Sequence, residues 1–319
     1  MASTEKIALR PLRRPAGSLR KELAYHRALY LFLIPGIVFF LVFSYAPMFG
    51  LTMVFQRYDP VTGFLKSPWV GLDNLKRIFQ MREFSRAFRN TMVISSLKLF
   101  VGFPVPIIFA LLLNELLSLR FRKSIQTISY LPNFISWVVI AGIWYKVLSP
   151  SGMVNQLLLD LGLIREAINF MQDKRMFYVV IVFTDVWKSA GFSSILYLSA
   201  IASIDVEQYE AAIVDGAGRF RRMWHITLPG MKNIIILLFI LSISGILNAG
   251  FDQLWTMSNV TVRDVAEILD TAVMRYLTSG SLNTLSLGAA MGFFKAGVGL
   301  VLFIAANYIS RLLKQESLI

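Results

Sequence analysis

The order of apolar and polar positions reads as six long hydrophobic stretches separated by charged connections. A helix crossing a hydrocarbon core of about 30 Å needs about 20 mainly apolar residues. The stretches over 29–54, 91–113, 124–145, 177–202, 233–251 and 285–309 meet that length. The first lies in a charge-free run of 29 residues (28–56), and the third and fifth hold 22 and 19 residues without a charge. The second carries Lys98, the fourth Asp185 and Lys188, and the sixth Lys295. Their flanking apolar runs are nevertheless too long to leave in water, and in lipid, where no water bonds the backbone, a helix satisfies its own polar groups. Between the first two stretches, Leu75, Ile78 and Phe79 fall at helical spacing and predict a short amphipathic helix at the membrane surface. A turn at Ser149-Pro150-Ser151-Gly152 precedes an apolar patch over 154–161, read as a second interfacial helix.

The connection between the fourth and fifth stretches is itself helix-forming. Asp205 suits an N-cap with Gln208 reaching back, Ala211 and Ala212 favour helix, and Gly216 suits its end. Ile213, Phe220 and Trp224 supply apolar contacts among Arg219, Arg221 and Arg222, and Pro229 breaks the helix before the next span. Without further information this segment could equally be an interfacial helix held by lipid headgroups.

Composition agrees with an all-α integral membrane protein: 319 residues, 56% hydrophobic and 16% charged. The absence of cysteine removes disulfides and thiolate chemistry, and His26 and His225 lie far apart with no metal-ligand cluster around them. The net charge of +13 is spread among loops, which points to anionic lipid and away from nucleic acid. Seven Lys and Arg residues through Arg27 mark 1–28 as a basic cytoplasmic tail, followed by an uncleaved anchor and a single six-span domain over 29–319. With the N-terminus inside, sixteen basic residues face the cytoplasm and thirteen the opposite side, a weak asymmetry.

No phosphate-binding Gly-x-x-x-x-Gly-Lys-Ser/Thr loop, zinc-protease helix or nucleophile elbow occurs, so energy for any transport must come from a partner. Charges inside spans are costly and mark functional candidates. Asp185 and Lys188, three residues apart, share a helix face and stand either as an internal ion pair or as substrate contacts. Lys98 and Lys295 pair across helices, snorkel to an interface or line a path. Trp187, Phe192, Asn248, Asp252 and Gln253 join them as path candidates, because sugars bind to aromatic faces edged by amides and carboxylates. Trp137, Trp144 and Trp255 fit an interfacial aromatic belt, and Gly288, Gly292 and Ala296 show the spacing of close helix packing.

Glu210-Ala211-Ala212, three residues, Gly216-Ala217 and, after eight more, Ile226-Thr227-Leu228-Pro229 resemble the EAA signature of the membrane subunits of ATP-driven (ABC-type), binding-protein-dependent, MetI-like importers. That resemblance implies that 205–229 is a cytoplasmic coupling segment seated in a groove of an ATPase, with Glu210, Ala211, Ala212, Asp215, Gly216, Ala217, Leu228 and Pro229 making the contact. It covers roughly residue 29 onward. Gly71-Leu72-Asp73-Asn74, Phe88 and Asn90-Thr91 also fit, while Val206 departs from the proline often found there. Trp187, Gly191-Phe192 and 204–217 look like the carbohydrate branch. The implied assembly is a bacterial inner-membrane heterodimer of two related permeases, two ATPase copies carrying ATP and Mg, and an extracytoplasmic solute-binding protein delivering an oligosaccharide. This chain would hold no cofactor and no metal of its own and hydrolyse nothing. A permease for amino acids, metals or peptides is the alternative within the family. An ion-driven secondary transporter predicts inverted repeats and carboxylate-lined ion sites, and neither is visible.

Three lysines against one aspartate at membrane depth leave two excess positive charges. From that excess an acidic, uronate-containing oligosaccharide is the expected substrate.

Overall fold

The computed structural model describes residues 26–279 and 282–312, so most of the basic tail expected over 1–28 lies outside the described residues. The chain divides into two units, Met1–Thr52 and Met53–Ile319. In the first, helix α1 (Arg27–Phe40) is apolar on all sides and continues through a widened turn at Leu41–Tyr45. In the second unit the main helices are α2 (Asp73–Gln80), α3 (Arg82–Leu97), α4 (Pro104–Asn114), α5 (Leu119–Tyr130), α6 (Trp137–Val147), α7 (Met153–Asp160) and α8 (Lys174–Ala202). They are followed by α9 (Val206–Val214), α10 (Arg219–Arg222), α11 (Lys232–Ser244), α12 (Phe251–Met257), α13 (Leu269–Thr278) and α14 (Leu282–Leu312). Among the described residues there is no strand, only an isolated bridge between Gln56 and Trp69.

Four helical stretches are by themselves long and apolar enough to cross a membrane: Arg27–Phe55, Arg82–Asn114, Lys174–Ala202 and Thr284–Ser310. Two further candidates are bent pairs, each overlapping a stretch read from the sequence as one span. Within 124–145 the helices Leu119–Phe134 and Trp137–Val147 meet at 103°. Pro132 supplies no amide, Ile135 is extended, and the Ser136 hydroxyl restarts the helix by accepting from the Val139 amide at 3.4 Å. Lys188 of α8 then satisfies the freed carbonyls, donating to Pro132 (3.2 Å), Asn133 (2.9 Å) and Ile135 (2.5 Å) oxygens. Arg219–Gly230 and Lys232–Ser244 meet at 59°, and α11 stops at Ser244, short of residue 251. A turn follows, ending on Gly250 with φ +95°, a left-handed conformation suited to glycine.

Around Phe177, Ile181, Leu254, Met257 and Ile268, α3, α6, α8 and α12 share one buried cluster. A second joins Ile78 of α2 and Phe84 of α3 to Leu269 of α13 and Met291 of α14. Thus α2 is amphipathic as expected, but its buried face packs on protein and not on the membrane surface: Ile78 is fully buried, and Asn74 donates to the carbonyls of Val54 (2.9 Å) and Gln56 (2.8 Å). The apolar patch over 154–161 becomes α7, tied down by buried Asn155, which donates to the Ser149 and Ile168 carbonyls. Of the small-residue stripe on α14, a Cβ at Gly288 would come 3.1 Å from Tyr276 Cβ of α13, whereas one at Gly292 would meet nothing within 4 Å. The stripe therefore packs closely at one of those two glycines.

Asp173 caps α8, accepting from the amides of Arg175 and Met176 at 2.8 Å. Those bonds, the Met176 one first, hold its carboxyl below the usual carboxylate range. Halfway along α8, Gly191 lets the backbone of Ser129 in α5 approach so closely that any Cβ would overlap the Ser129 carbonyl. Gly191→Val is therefore expected to force the two helices apart, with a loss of at least about 1–3 kcal/mol typical of overpacking. The check is thermal unfolding of the purified protein, and an unchanged midpoint would contradict the close approach.

Candidate functional site

A cavity of about 760 Å³ opens between α3, α4, α8, α11 and the turn after Ser244. Its wall includes Lys98, Asp185, Phe192 and Asn248, four of the expected path residues. Lys98 sits in a widened turn between α3 and α4 (Lys98–Gly102), just before Pro104. There its ammonium reaches Asp185 Oδ1 (3.0 Å), the Ala249 carbonyl (2.9 Å) and Gln253 Oε1 (2.5 Å). A Cβ at Gly250 would lie 2.8 Å from that ammonium, so glycine is required there for contact as well as for conformation. Gln253 also donates to the Ile181 carbonyl and the Thr184 hydroxyl, each at 2.8 Å.

The pairing decides between readings that the sequence left open. Asp185 does not pair with Lys188 on its own helix; it pairs with Lys98 of another, while Lys188 is taken by three carbonyls at the α5–α6 bend. Lys295 of α14 pairs with Asp270 of α13 at 2.6 Å. Two of the three in-span lysines thus have a carboxylate, and the excess of two positive charges inferred from the sequence is cut accordingly. Gln253 is wholly buried as a brace for Lys98 and is not exposed to a path. Trp187, Lys188, Asp252 and Lys295 do not line the cavity: Trp187 packs edge-on to Trp144 at 5.7 Å, and Asp252 is exposed elsewhere.

Sequence reasoning missed Ser95 and Ser189 in the cavity wall, which also holds Tyr197 of the fourth-span aromatic cluster. Buried Ser95 Oγ has no protein partner, which leaves a hydrogen-bonding group available to a guest. Span serines are ordinary packing residues by sequence, so no signal singled it out.

The segment expected to couple forms α9. Asp205 caps it by accepting from the Glu207 amide at 3.0 Å; the Gln208 contact to Asp205 is a backbone bond to its carbonyl (3.3 Å) and not the side-chain reach expected. Gly216, at φ +75°, closes the helix, with its amide to the Ile213 carbonyl (3.0 Å) and the Ala217 amide to the Ala212 carbonyl (2.8 Å). No residue of α9 is buried, and Glu210, Ala211, Asp215, Gly216 and Pro229 are exposed, with Ala212, Ala217 and Leu228 half-buried. The two halves of the signature are bound together: the Tyr209 hydroxyl meets Thr227 Oγ1 at 3.0 Å, and a Cβ at Gly230 would overlap the Ile204 side chain. Beside α9, Phe220 and Trp224 stand 72% and 58% exposed around a second cavity bordered by Arg219, Arg221 and His225.

An ion-pair network absent from the sequence reading lies at the end of α8 opposite α9, about 40 Å away along a 29-residue helix rising about 1.5 Å per residue. Arg86 reaches Asp264 (3.2 Å) and Glu267 (2.9 Å), Lys174 reaches Asp264 (2.8 Å), and Arg263 and Arg275 each lie 3.3 Å from Glu267. Lys174, through its hydrogen bond and its charge, holds the Asp264 carboxyl below the usual range. Asn90 and Thr91 serve this network structurally. The Asn90 amide donates to the Asp264 and Glu267 carbonyls, and Thr91 Oγ1 accepts from the Leu269 amide at 2.9 Å.

Comparison with known proteins places these features. Residues 102–315 match the family model described as binding-protein-dependent transport system inner membrane component. The chain is 46% identical over 292 residues to the protein LplB of Bacillus subtilis (strain 168), covering 91% of this chain and 90% of that one. It is 41% identical over 298 residues, 93% and 92% of the two chains, to YteP of the same organism, a polygalacturonan/rhamnogalacturonan transport system permease protein. Among solved structures it resembles a chain of a bacterial ABC transporter involved in the import of the acidic polysaccharide alginate, with TM-score 0.84, 39% identity, and 92% of this chain and 99% of that chain covered. A bacterial alginate ABC transporter in complex with an alginate pentasaccharide-bound periplasmic protein gives 0.85 and 38%, covering 95% and 100%.

Proposed function

The chain belongs to the family of binding-protein-dependent transport system inner membrane components, and from that premise we propose that it is the permease subunit of an ATP-driven importer of uronate-containing oligosaccharides. It is a multi-pass membrane protein, and relatives of this kind are sugar and polysaccharide ABC permeases. In the proposed assembly both bent pairs count as spans, giving six, with the N-terminus in the cytoplasm. A second permease completes the path, two partner ATPases carry ATP and Mg, and a periplasmic binding protein delivers the sugar. This chain's own part is half of the path and the dock for one ATPase.

The observation that carries the substrate class is the likeness, over nine-tenths of the chain, to an importer of an acidic polysaccharide. The cavity fits the saccharide part: Phe192 and Tyr197 offer apolar faces, and Ser95, Asp185 and Asn248 offer hydroxyl partners. The Asp185 carboxylate is 29% exposed against 12% for Lys98, so of this pair it is the acceptor that is the more open to sugar hydroxyls. The α9 segment supports ATPase docking, because an unburied helix carrying Ala211 and Ala212 beside exposed Phe220 and Trp224 suits a protein socket.

In liposomes holding the whole complex with its binding protein, uronate oligosaccharides are expected to stimulate ATP hydrolysis at concentrations at least about tenfold below neutral ones of equal length, a difference of about 1.4 kcal/mol. Equal stimulation by both would remove the uronate assignment and leave a general saccharide permease.

A further inference from the structure

The central cavity exposes Asp185 more than Lys98, whereas the network at the far end of α8 carries more cations than carboxylates. Glu267, only 4% exposed, is the one carboxylate serving Arg263 and Arg275, and it also serves Arg86. Asp264 is shared by Arg86 and Lys174. Among the described residues four cations therefore meet two carboxylates in this network, and the deficit falls on Arg263 and Arg275. The Arg275 Nε lies near Glu267 without hydrogen-bond alignment and is buried with no other partner. Both arginines line a pocket of about 210 Å³, of the order of one pyranose ring, whose wall also holds Ser258 and Trp255. Trp255 is 41% exposed and is stacked on Phe251 at 5.6 Å, which fixes its ring as an apolar platform.

We infer that this pocket is an entry subsite for one uronate residue of the incoming oligosaccharide, its carboxylate on Arg263 and Arg275 and its C–H face on Trp255. The inference rests on the acidic-oligosaccharide reading above and adds where the charge is recognised. A ligand carboxylate meets planar guanidinium donors that are already oriented by Glu267, and it balances a charge deficit that a neutral sugar leaves in place. The aromatic wall and the single-ring volume are what a sugar uses and an isolated protein carboxylate does not. Asn259 is part of the frame: its amide donates to the Met171 carbonyl and accepts from Thr261 and Val262, so it shapes the pocket without being free for ligand.

The test is a binding isotherm of the detergent-purified whole complex, without binding protein, for a uronate trisaccharide and a neutral trisaccharide. Wild type should bind the uronate and not the neutral sugar. R275Q should weaken uronate binding at least tenfold, R275K should weaken it less because it keeps the charge while losing the planar fork, and Trp255→Leu should weaken it several-fold. Glu267 keeps Arg86 and Arg263 in R275Q, and co-purification of all subunits verifies that the complex stays assembled. Wild-type affinity in both R275Q and Trp255→Leu overturns the subsite, as does equal binding of the neutral sugar. If free uronate fails to bind wild type while R275Q impairs only capture of the binding protein, the arginines hold a protein carboxylate and the subsite is again overturned. Transport by the whole complex separates the levels: uronate-selective transport unchanged in R275Q defeats the subsite alone, whereas transport blind to charge defeats the acidic-oligosaccharide reading itself.

Discussion

Lys98→Met alone is expected to lower the stability of the folded chain, by less than the about 3–5 kcal/mol of breaking a fully buried pair, because the stranded Asp185 carboxylate is 29% exposed to the cavity. Lys98 is the common partner of Asp185, Gln253 and the Ala249 carbonyl. Its loss strands one carboxylate and two acceptors where α3, α8 and the turn before α12 meet. Asp185→Asn should cost less, because the ammonium keeps two neutral acceptors. The double variant K98M/D185N should recover a large part of the loss, since replacing both ends of a buried pair is commonly near neutral. The measurement is a double-mutant cycle on thermal or denaturant unfolding in detergent. If the two single effects simply added, the pair would not be coupled, and the join it is assigned here would be wrong.

Gly216→Val should uncouple hydrolysis from transport while leaving the membrane spans inserted. A Cβ at Gly216 meets nothing within 4 Å, so the demand is conformational: at φ +75° an L residue costs about 1–2 kcal/mol, more when β-branched. That strain falls on the closing turn of α9, where the Gly216 and Ala217 amides satisfy the last carbonyls. Substrate-stimulated ATPase activity and co-purification of the ATPase are expected to fall at least tenfold. Gly216→Asn, which tolerates the left-handed region, separates the backbone demand from the space a partner needs. Retention of both readouts in Gly216→Val and in Glu210→Lys would show that α9 is not the dock.

Much of the helical layout was legible because its causes are local. Long charge-free runs, the Asp205 cap and the Gly216 stop act within one helix, and α8, α9 and α14 accordingly lie where the periodicity and capping residues place them. The bends were less legible. Within 124–145 no charge interrupts the hydrophobic run, yet Pro132 and Ser136 break it by 103°, and the bend stands because Lys188, more than fifty residues on, takes its carbonyls. The α2 helix looked interfacial from its own periodicity, but which surface an apolar stripe meets is set by the rest of the chain, here α3, α13 and α14.

By itself the sequence determined an all-helical chain rich enough in apolar runs for several membrane crossings, the polar helix over 206–214, and the signature that identifies its family. Those follow from composition, period and short-range capping, which need no partner in space. Only the tertiary structure decided which charges are neutralised. Lys98 finds Asp185 across 87 residues and Lys295 finds Asp270 on a different helix, so adding up in-span charges misjudged the field of the path. The same holds for the arginines around Glu267, whose positive excess arises from elements up to about 190 residues apart. Electrostatic energy depends on distance in space and on burial, and neither can be read along the chain.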